Sequence, residues 1–192
     1  MTGASAQLVL LAGPSGSGKS RLANAVGALT VRLDDFYRDF DHPGLPRTLG
    51  IVDWDDAASW DAEGAVEALG ELLRTGRTTV PRYSIVESRR IGSHELTLAD
   101  ERVVIAEGIF AIELLAHVRA AGLDVDPVYL DRNRNLVTAL RLRRDLAQKR
   151  KTPLVLVRRG WALRREQPNL KRRALAAGFR PLTMRAAISL LG

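Results

Sequence analysis

Residues 13–20 read Gly13-Pro14-Ser15-Gly16-Ser17-Gly18-Lys19-Ser20 and follow directly on an apolar run, residues 7–12. The segment matches the pattern G-x-x-x-x-G-K-S/T in full. Glycines let consecutive backbone N–H groups curve around an anionic phosphate without clashes from Cβ atoms. We expect Lys19 to reach the β and γ phosphates of a nucleotide, and the Ser20 hydroxyl to bind Mg²⁺. The predicted ATP-binding residues are this segment and Arg21, which follows it.

Short apolar runs alternate along the chain with longer stretches of helical periodicity. We predict buried strands over 7–12, 29–33, 102–106 and 128–130, and helices over 19–28, 63–74, 109–121, 134–150 and 154–166. Two β-prone pieces, 78–85 and 95–98, predict a hairpin, and a short strand over 179–183 precedes a final helix. Alternation of this kind favours a parallel sheet with helices on both faces. The predicted fold class is α/β, a three-layer sheet of the P-loop NTPase type.

Charge is distributed unevenly along the chain. The 192 residues carry a net charge of +7, and 25 of the 29 basic side chains are arginines. Residues 1–131 hold 12 basic and 20 acidic side chains (−8), whereas residues 132–192 hold 17 basic and 2 acidic ones (+15). Clustered arginines indicate a polyanionic partner, either a nucleic-acid backbone or a bound triphosphate. Because the phosphate loop accounts for a triphosphate, we expect no nucleic-acid partner; a nucleotide-gated regulator or nucleic-acid-binding P-loop protein stays the alternative.

Several classes of protein are disfavoured by what the sequence lacks. It contains no cysteine, which excludes disulfides, thiolate metal sites and thiol redox chemistry. The histidines at 42, 94 and 117 share no metal-ligand spacing, so we expect no zinc site. No secretion signal or membrane span is visible. We therefore expect a cytoplasmic protein without a membrane partner.

Two predicted strands run into acidic residues at their carboxyl ends. The strand over 29–33 leads into Asp34-Asp35-Phe36-Tyr37, and the strand over 102–106 leads into Glu107-Gly108. In parallel sheets ligands bind at this edge. There Asp34 is placed to accept the proton of an attacking hydroxyl, and Asp34 or Glu107 to hold Mg²⁺. Helix capping is the alternative for both positions, and for Asp131 it is the first interpretation.

The predicted helix over 134–150 carries a row of basic and polar side chains. Arg141, Arg144, Gln148 and Lys151 recur at intervals of three and four and so share one face. Such a face suits a flap that closes over a triphosphate and neutralises the moving phosphoryl group. A solvated charged face and a nucleic-acid surface explain the same residues.

With the phosphate loop, the Asp34–Tyr37 element, Glu107-Gly108 and an arginine-rich helix in this order, the sequence resembles the uridine kinase family of P-loop kinases, which includes phosphoribulokinase-like enzymes. The resemblance spans roughly residues 7–151. It implies that Asp34, the first acid of a D-x-F-Y element, is the base for a nucleoside 5′-hydroxyl. It also implies that Tyr37 lines the acceptor pocket and that Asp55 binds the ribose.

A second family segment, P-x-Y-D-F/Y-x-x-H-x-R, resembles residues 81–90. Tyr83 carries over as an acceptor-binding residue, and we also assign Arg89 to the acceptor. Where the family has an aromatic residue and a histidine that recognise the pyrimidine, this chain has Ile85 and Ser88. The family's R-x-x-R-D flap matches Arg141 and Arg144.

The sequence thus predicts one P-loop kinase domain over 1–192, with an acceptor-side hairpin insertion in about 36–100 and an arginine-rich helical flap in about 134–172. The expected reaction moves the γ-phosphoryl group of ATP, with Mg²⁺, to a primary hydroxyl of a small nucleoside-like acceptor. The 5′-hydroxyl of uridine or cytidine is the first candidate, and a different sugar- or pantothenate-like acceptor is the alternative. Lys19, Asp34, Arg141 and Arg144 are the predicted catalytic residues. Kinases of this family are often homo-oligomers.

Overall fold

The structure of the protein, a computed structural model, describes residues 6–133, 135, 137, 140 and 168–192. Most of the predicted basic flap, Arg141 and Arg144 included, lies outside these residues. None of the described helices is long and apolar enough to cross a lipid bilayer.

The described strands are β1 (Gln7–Ala12), β2 (Leu29–Arg32), β3 (Arg47–Thr48), β4 (Ile51–Val52), β5 (Arg77–Ser84), β6 (Arg89–Thr97), β7 (Val103–Glu107), β8 (Asp126–Leu130) and β9 (Arg180–Leu182). The α-helices with described bounds are α1 (Lys19–Ala25), α2 (Ala62–Thr75), α3 (Ala111–Ala120) and α4 (Met184–Leu191). Short 3₁₀ helices cover Leu33–Phe36 and Ala57–Ser59. Residues 168–176 are also helical.

A five-stranded parallel sheet has the strand order β2-β7-β1-β8-β9. From Leu8 to Leu11, β1 is buried at every residue, and from Val103 to Ala106 so is β7. Apolar runs buried at consecutive positions are typical of strands covered on both faces of a parallel sheet. The predicted α/β fold class is therefore confirmed.

The contacts divide the described chain into two compact units, and the first comprises residues 6–10 and 27–126. In it β2 pairs in parallel with β7, and Arg32 stands opposite Glu107 in the register. Helix α2 packs against α3 and against β5. The predicted hairpin is confirmed as the antiparallel pair β5–β6, although β6 begins six residues before the predicted strand. An irregularity in the register between Arg82 and Tyr83 interrupts the alternation that sequence periodicity depends on.

The second unit comprises residues 11–26 and the described residues of 127–192. It contains the phosphate loop and α1, which packs against α4. Strand β8 pairs in parallel with β9, from Val128 opposite Arg180 to Leu130 opposite Leu182. The predicted last strand and final helix are confirmed, and the Thr183 hydroxyl caps α4 by accepting from the Ala186 N–H at 3.3 Å.

Candidate active site

The phosphate loop connects β1 to α1 in the second unit. Gly18 stands at the cap position of α1 with φ of +94°, a backbone conformation that residues with a Cβ rarely adopt. Space at this glycine is also limited, because a Cβ there would lie 3.2 Å from Met184 Cε and 3.6 Å from Arg132 Nη2. The turn therefore favours glycine at this position through its backbone conformation, whereas the nearby Met184 and Arg132 side-chain ends could shift.

The loop has features that fit a bound phosphate chain. The Ser17 N–H donates to the Pro14 carbonyl at 3.0 Å, which curls the backbone into a turn. Ser17 Oγ is fully buried and has no hydrogen-bond partner among the described residues. A Cβ on Gly13 would lie 3.3 Å from both Ser17 Oγ and the Leu130 carbonyl oxygen, so only glycine keeps this side open. A buried hydroxyl without a protein partner is the kind of group that a ligand oxygen satisfies.

Two cations hold carbonyl groups of the same loop. Lys19 Nζ donates to the Gly13 carbonyl at 3.2 Å, and Arg132 Nε donates to the Ser17 carbonyl at 3.2 Å. The sequence did not predict Arg132 as a site residue, and its neighbour Asp131 was interpreted as a helix cap. In the structure Asp131 instead pairs with Lys171 Nζ at 2.7 Å, and Asn133 Oδ1 caps the following residues by accepting from the Asn135 N–H. The usable signal was the position of Arg132, two residues beyond the end of β8.

In the first unit Asp34 lies in the 3₁₀ helix that follows β2. The backbone at Gly108 passes close to it, because a Cβ on Gly108 would lie 2.9 Å from Asp34 Oδ1. Glu107 precedes that glycine at the end of β7 and is half-buried. The structure therefore places Asp34 and Glu107 at the ends of two paired strands.

The neighbouring Asp35 has a structural role. Its side chain is buried, accepts from the Tyr83 N–H at 3.4 Å and lies 3.8 Å from Arg32 Nε. These contacts attach β5 to the 3₁₀ helix. The assignment of Asp34, the other of the two adjacent acids, as the base stays a prediction.

An aromatic cluster surrounds Tyr37. Its ring lies 5.7 Å from the ring of Trp54, 5.5 Å from that of Tyr83 and 5.7 Å from that of Phe110. The Tyr37 hydroxyl donates to the Trp54 carbonyl at 3.1 Å, and the Tyr83 hydroxyl donates to the Arg38 carbonyl at 3.3 Å. The sequence did not single out Trp54 as a site residue, although it stands beside Asp55.

The charges of two predicted site acids act on this cluster. Burial raises the pKa of Tyr37 above its usual value, and the charges of Asp34 and Asp55 raise it further. Burial also raises the pKa of Tyr83 to about 12; the charge of Asp39 adds to this and that of Arg90 opposes it. Both phenols are therefore protonated at neutral pH. The first unit thus brings together Asp34, Tyr37, Asp55 and Tyr83, four of the predicted residues.

The two arginines at the start of β6 differ in their surroundings. Arg89, which we assigned to the acceptor, lies with its guanidinium 5.4 Å from the centre of the exposed Phe40 ring. Arg90 pairs with Asp61 at 2.8 Å and donates to the Tyr37 carbonyl at 3.3 Å. The signal for Arg90 was present in the sequence, since it is Arg90 that occupies the last position of the ten-residue segment 81–90.

The residues at the tip of the β5–β6 hairpin, 85–88, include no aromatic side chain. Ile85 is 72% exposed and Val86 is 95% exposed. Ser88, at the position of the family's histidine, has φ of +51°. The departures noted in the sequence therefore fall at a solvent-facing turn.

No group of three or more His, Asp or Glu side chains within the described ranges is arranged to hold a metal ion. Mg²⁺ is commonly bound through substrate phosphates and one or two protein oxygens rather than by an all-protein cage. Of the predicted Mg²⁺ residues, Ser20 belongs to the second unit, and Asp34 and Glu107 belong to the first. This set stays a prediction.

Comparison with known proteins identifies the relationship. A sequence profile of the Phosphoribulokinase / Uridine kinase family matches residues 8–167. The chain belongs to this family. The resemblance carried by the phosphate loop and the Asp34–Tyr37 element is thereby confirmed.

Two curated relatives share part of their length with this family member. The uridine kinase of Saccharomyces cerevisiae is 27% identical over 150 residues, which cover 74% of this chain and 29% of the relative. The inorganic pyrophosphatase TTM2 of Arabidopsis thaliana is 32% identical over 111 residues, which cover 55% of this chain and 15% of that protein. The chain thus spans less than a third of the length of either relative.

Among solved structures, a proposed fructose transport system kinase from Silicibacter sp. TM1040 superimposes with a TM-score of 0.58. It is 22% identical, and the match covers 95% of this chain and 90% of that one. At this level of identity the similarity shows that the two chains share a fold.

Proposed function

We propose that the protein is a kinase that transfers the γ-phosphoryl group of ATP to a primary hydroxyl group of a small polyhydroxylated acceptor. The observation that carries this proposal is the cluster of Asp34, Tyr37, Asp55 and Tyr83 in the first unit. Carboxylates accept hydrogen bonds from sugar hydroxyls, and the phenol oxygens of Tyr37 and Tyr83, whose O–H groups donate to backbone carbonyls, can accept as well. The second unit supplies the loop for the nucleotide that such an enzyme requires.

In the proposed reaction the backbone N–H groups of residues 13–18 and the Lys19 ammonium hold the β and γ phosphates. Ser20, with Asp34 or Glu107, would hold Mg²⁺, which neutralises phosphate charge when bound. The acceptor hydroxyl oxygen forms a bond to the γ phosphorus while the bond to the bridging oxygen of ADP breaks. Asp34 receives the hydroxyl proton. Arg141 and Arg144, outside the described residues, are proposed to neutralise the charge that moves in this step.

The first candidate acceptor is uridine or cytidine, phosphorylated at the 5′-hydroxyl. The curated uridine kinase among the relatives supports it, as does the match of Asp55 to the ribose-binding position of the family. One carboxylate can accept hydrogen bonds from a pair of sugar hydroxyls, which the 2′ and 3′ positions of ribose provide.

A second candidate is a sugar or sugar-like alcohol without a base. The hairpin tip favours it, because Ile85 and Ser88 provide neither a stacking ring nor a ring nitrogen for a pyrimidine. The aromatic cluster around Tyr37 suits the apolar face of a sugar ring as well as that of a nucleoside.

An acceptor panel tests the proposal. The full chain is incubated with ATP and Mg²⁺, and ADP release is measured with uridine, cytidine, ribose, fructose and pantothenate, beside Lys19→Ala as the inactive control. Acceptor-dependent release by the parent alone would support a kinase, and the preferred acceptor decides between the two candidates. ADP release that no acceptor stimulates, combined with nucleic-acid binding that falls steeply with salt, would contradict the proposal and favour a nucleic-acid-binding P-loop protein.

A further inference from the structure

Arg90 connects β6 to two other segments of the first unit. Its backbone N–H donates to Asp39 Oδ1 at 2.7 Å, and its Nη2 bonds Asp61 Oδ2 at 2.8 Å. Its Nε also donates to the Tyr37 carbonyl at 3.3 Å. One side chain therefore contacts the residue at the centre of the aromatic cluster and the cap residue of α2.

The backbone around Tyr37 is also held by a second segment, residues 59–61. Tyr37 forms an antiparallel bridge with Trp60, the Asp61 N–H donates to the Phe36 carbonyl at 3.0 Å, and the Arg38 N–H donates to the Ser59 carbonyl at 2.9 Å. Through Asp61 and the Tyr37 carbonyl, Arg90 closes this arrangement into a ring of contacts. The backbone that carries the Tyr37 phenol is thereby fixed relative to Tyr83 on the hairpin.

Asp61 is itself fixed by a second interaction. Its Oδ1 accepts from the Gly64 N–H at 3.1 Å, which caps α2. An anchor attached to a fourteen-residue helix moves little, so the arginine that it binds is held in one position. The pair is partly shielded from water, with side-chain exposures of 37% for Arg90 and 23% for Asp61. Shielding of this kind reduces the screening of the attraction by salt, while it also partly desolvates the Asp61 carboxylate.

We propose that Arg90 is a positioning residue for the acceptor, which acts through the Tyr37 carbonyl and Asp61 to hold the Tyr37 phenol in the acceptor pocket. Because this role presupposes the kinase activity proposed above, it predicts a change in the KM of the acceptor and no change in the KM of ATP. The contacts of Arg90 all lie in the first unit, whereas the phosphate loop belongs to the second.

Arg77, on the partner strand of the same hairpin, provides a control. It is an exposed arginine at the start of β5 and stands opposite Thr97, at the other end of β6 from Arg90. Arg77→Ala removes the same charge from the hairpin and leaves the contacts of Tyr37 and Asp61 in place. Arg90→Lys keeps the charge beside Asp61 and loses the planar group that reaches both partners.

The test compares Arg90→Ala, Arg90→Lys and Arg77→Ala in steady-state kinetics and in near-ultraviolet circular dichroism. We expect Arg90→Ala to raise the acceptor KM about tenfold or more, with the KM of ATP within twofold, and to alter the aromatic spectrum. Arg90→Lys should recover part of the acceptor KM, and Arg77→Ala should match the parent in all three quantities.

An acceptor KM for Arg90→Ala equal to that of Arg77→Ala would overturn the positioning role, and so would equal rises in the KM of the acceptor and the KM of ATP. If the parent releases no ADP with any acceptor, the proposed kinase function fails, and the spectra then test the positioning of Tyr37 separately. In that case a spectrum unchanged by Arg90→Ala overturns the positioning of Tyr37, and a spectrum changed by Arg90→Ala and not by Arg77→Ala supports it. Unchanged far-ultraviolet spectra verify that each variant is folded.

Discussion

Gly108 leaves the space that the carboxylate of Asp34 occupies: a Cβ on Gly108 would lie 2.9 Å from Asp34 Oδ1 and 2.7 Å from Leu33 Cβ. Distances below about 3 Å force one of the partners to shift, and Leu33 is fully buried with no room to do so. The residue after β7 therefore controls the position of the residue proposed as the catalytic base.

We predict that Gly108→Ala reduces kcat at least a hundredfold while ATP binding remains close to that of the parent. The added methyl group displaces Asp34, and small displacements of a catalytic group cost large factors in rate. Turnover with the best acceptor and the Kd for ATP are the quantities to measure.

Gly70→Ala serves as the control for Gly108→Ala. Gly70 lies inside α2, and a Cβ there would meet Leu123 side-chain atoms at an ordinary 3.8 Å. Because alanine is more favourable than glycine inside a helix, Gly70→Ala should increase the free energy of unfolding by roughly 0.5–1 kcal/mol. Its thermal midpoint should therefore rise, and its turnover should equal that of the parent. Parent-like turnover in Gly108→Ala would show that Asp34 tolerates the displacement or does not act as the base.

Lys19→Ala and Asp34→Asn should separate nucleotide binding from chemistry. Lys19→Ala removes the ammonium group that we propose binds the phosphates, so both ATP affinity and turnover should fall. Asp34→Asn keeps the size of the side chain and loses the proton acceptor, so ATP should bind nearly as in the parent while kcat falls 10²-fold or more. Calorimetric titration with ATP and initial-rate assays give the two quantities. Normal turnover by Asp34→Asn would remove Asp34 as the base.

A third prediction concerns Arg132, whose Nε bonds the Ser17 carbonyl. Arg132→Ala removes one of the two described cations that hold carbonyl groups of the phosphate loop, so the loop loses part of its preorganised shape. We expect the Kd for ATP to rise about tenfold. Arg172→Ala, which removes an exposed arginine of the same unit, should leave that Kd unchanged. Equal affinities in the parent and Arg132→Ala would contradict this account of the loop.

The sequence predicted the fold well because its signals are local. The phosphate loop, the buried run of β1 and the helical periodicity of residues 63–74 each lie within a dozen or so consecutive residues, and the structure confirms the corresponding elements. Element ends were less accurate. Helix α1 stops at Ala25 rather than at residue 28, because Val26 and Gly27 leave the helical conformation.

The contacts that shape the candidate site depend on residues far apart in the chain, which a single sequence does not reveal. Arg132 bonds Ser17 across 115 residues, and Arg90 bonds Tyr37 across 53. Asp34 and Asp35 look equivalent in the sequence, and only the fold shows that Asp35 accepts a hydrogen bond from the Tyr83 N–H. The motifs therefore predicted the chemistry to expect. Where two candidate residues are adjacent in the chain, only the packing shows which of them makes a given contact.

A last prediction follows from the ionisation of Asp61. Burial opposes its charge, but the hydrogen bond from Arg90, that from the Gly64 N–H and the charges of Arg90 and Arg38 outweigh burial and lower the pKa of Asp61 below 3.8. A carboxyl group whose pKa is lower in the folded state stabilises the fold above its unfolded pKa, and this contribution is lost as pH falls through the folded value. The parent should therefore exceed Asp61→Asn in thermal midpoint at pH 6–7, and the difference should shrink as the pH falls below about 4.

Thermal denaturation of the parent, Asp61→Asn and Asp124→Asn across pH 3–7 tests this linkage. Asp124 is an acid of the same unit in the loop before β8, outside the Arg90 arrangement, and its amide variant corrects for the loss of one carboxylate. Protonation of Asp61 removes the negative charge from the pair, so the charge contribution of the pair disappears at low pH. A difference between the parent and Asp61→Asn that is the same at pH 3 and pH 7 would mean that the Arg90–Asp61 pair contributes nothing through charge.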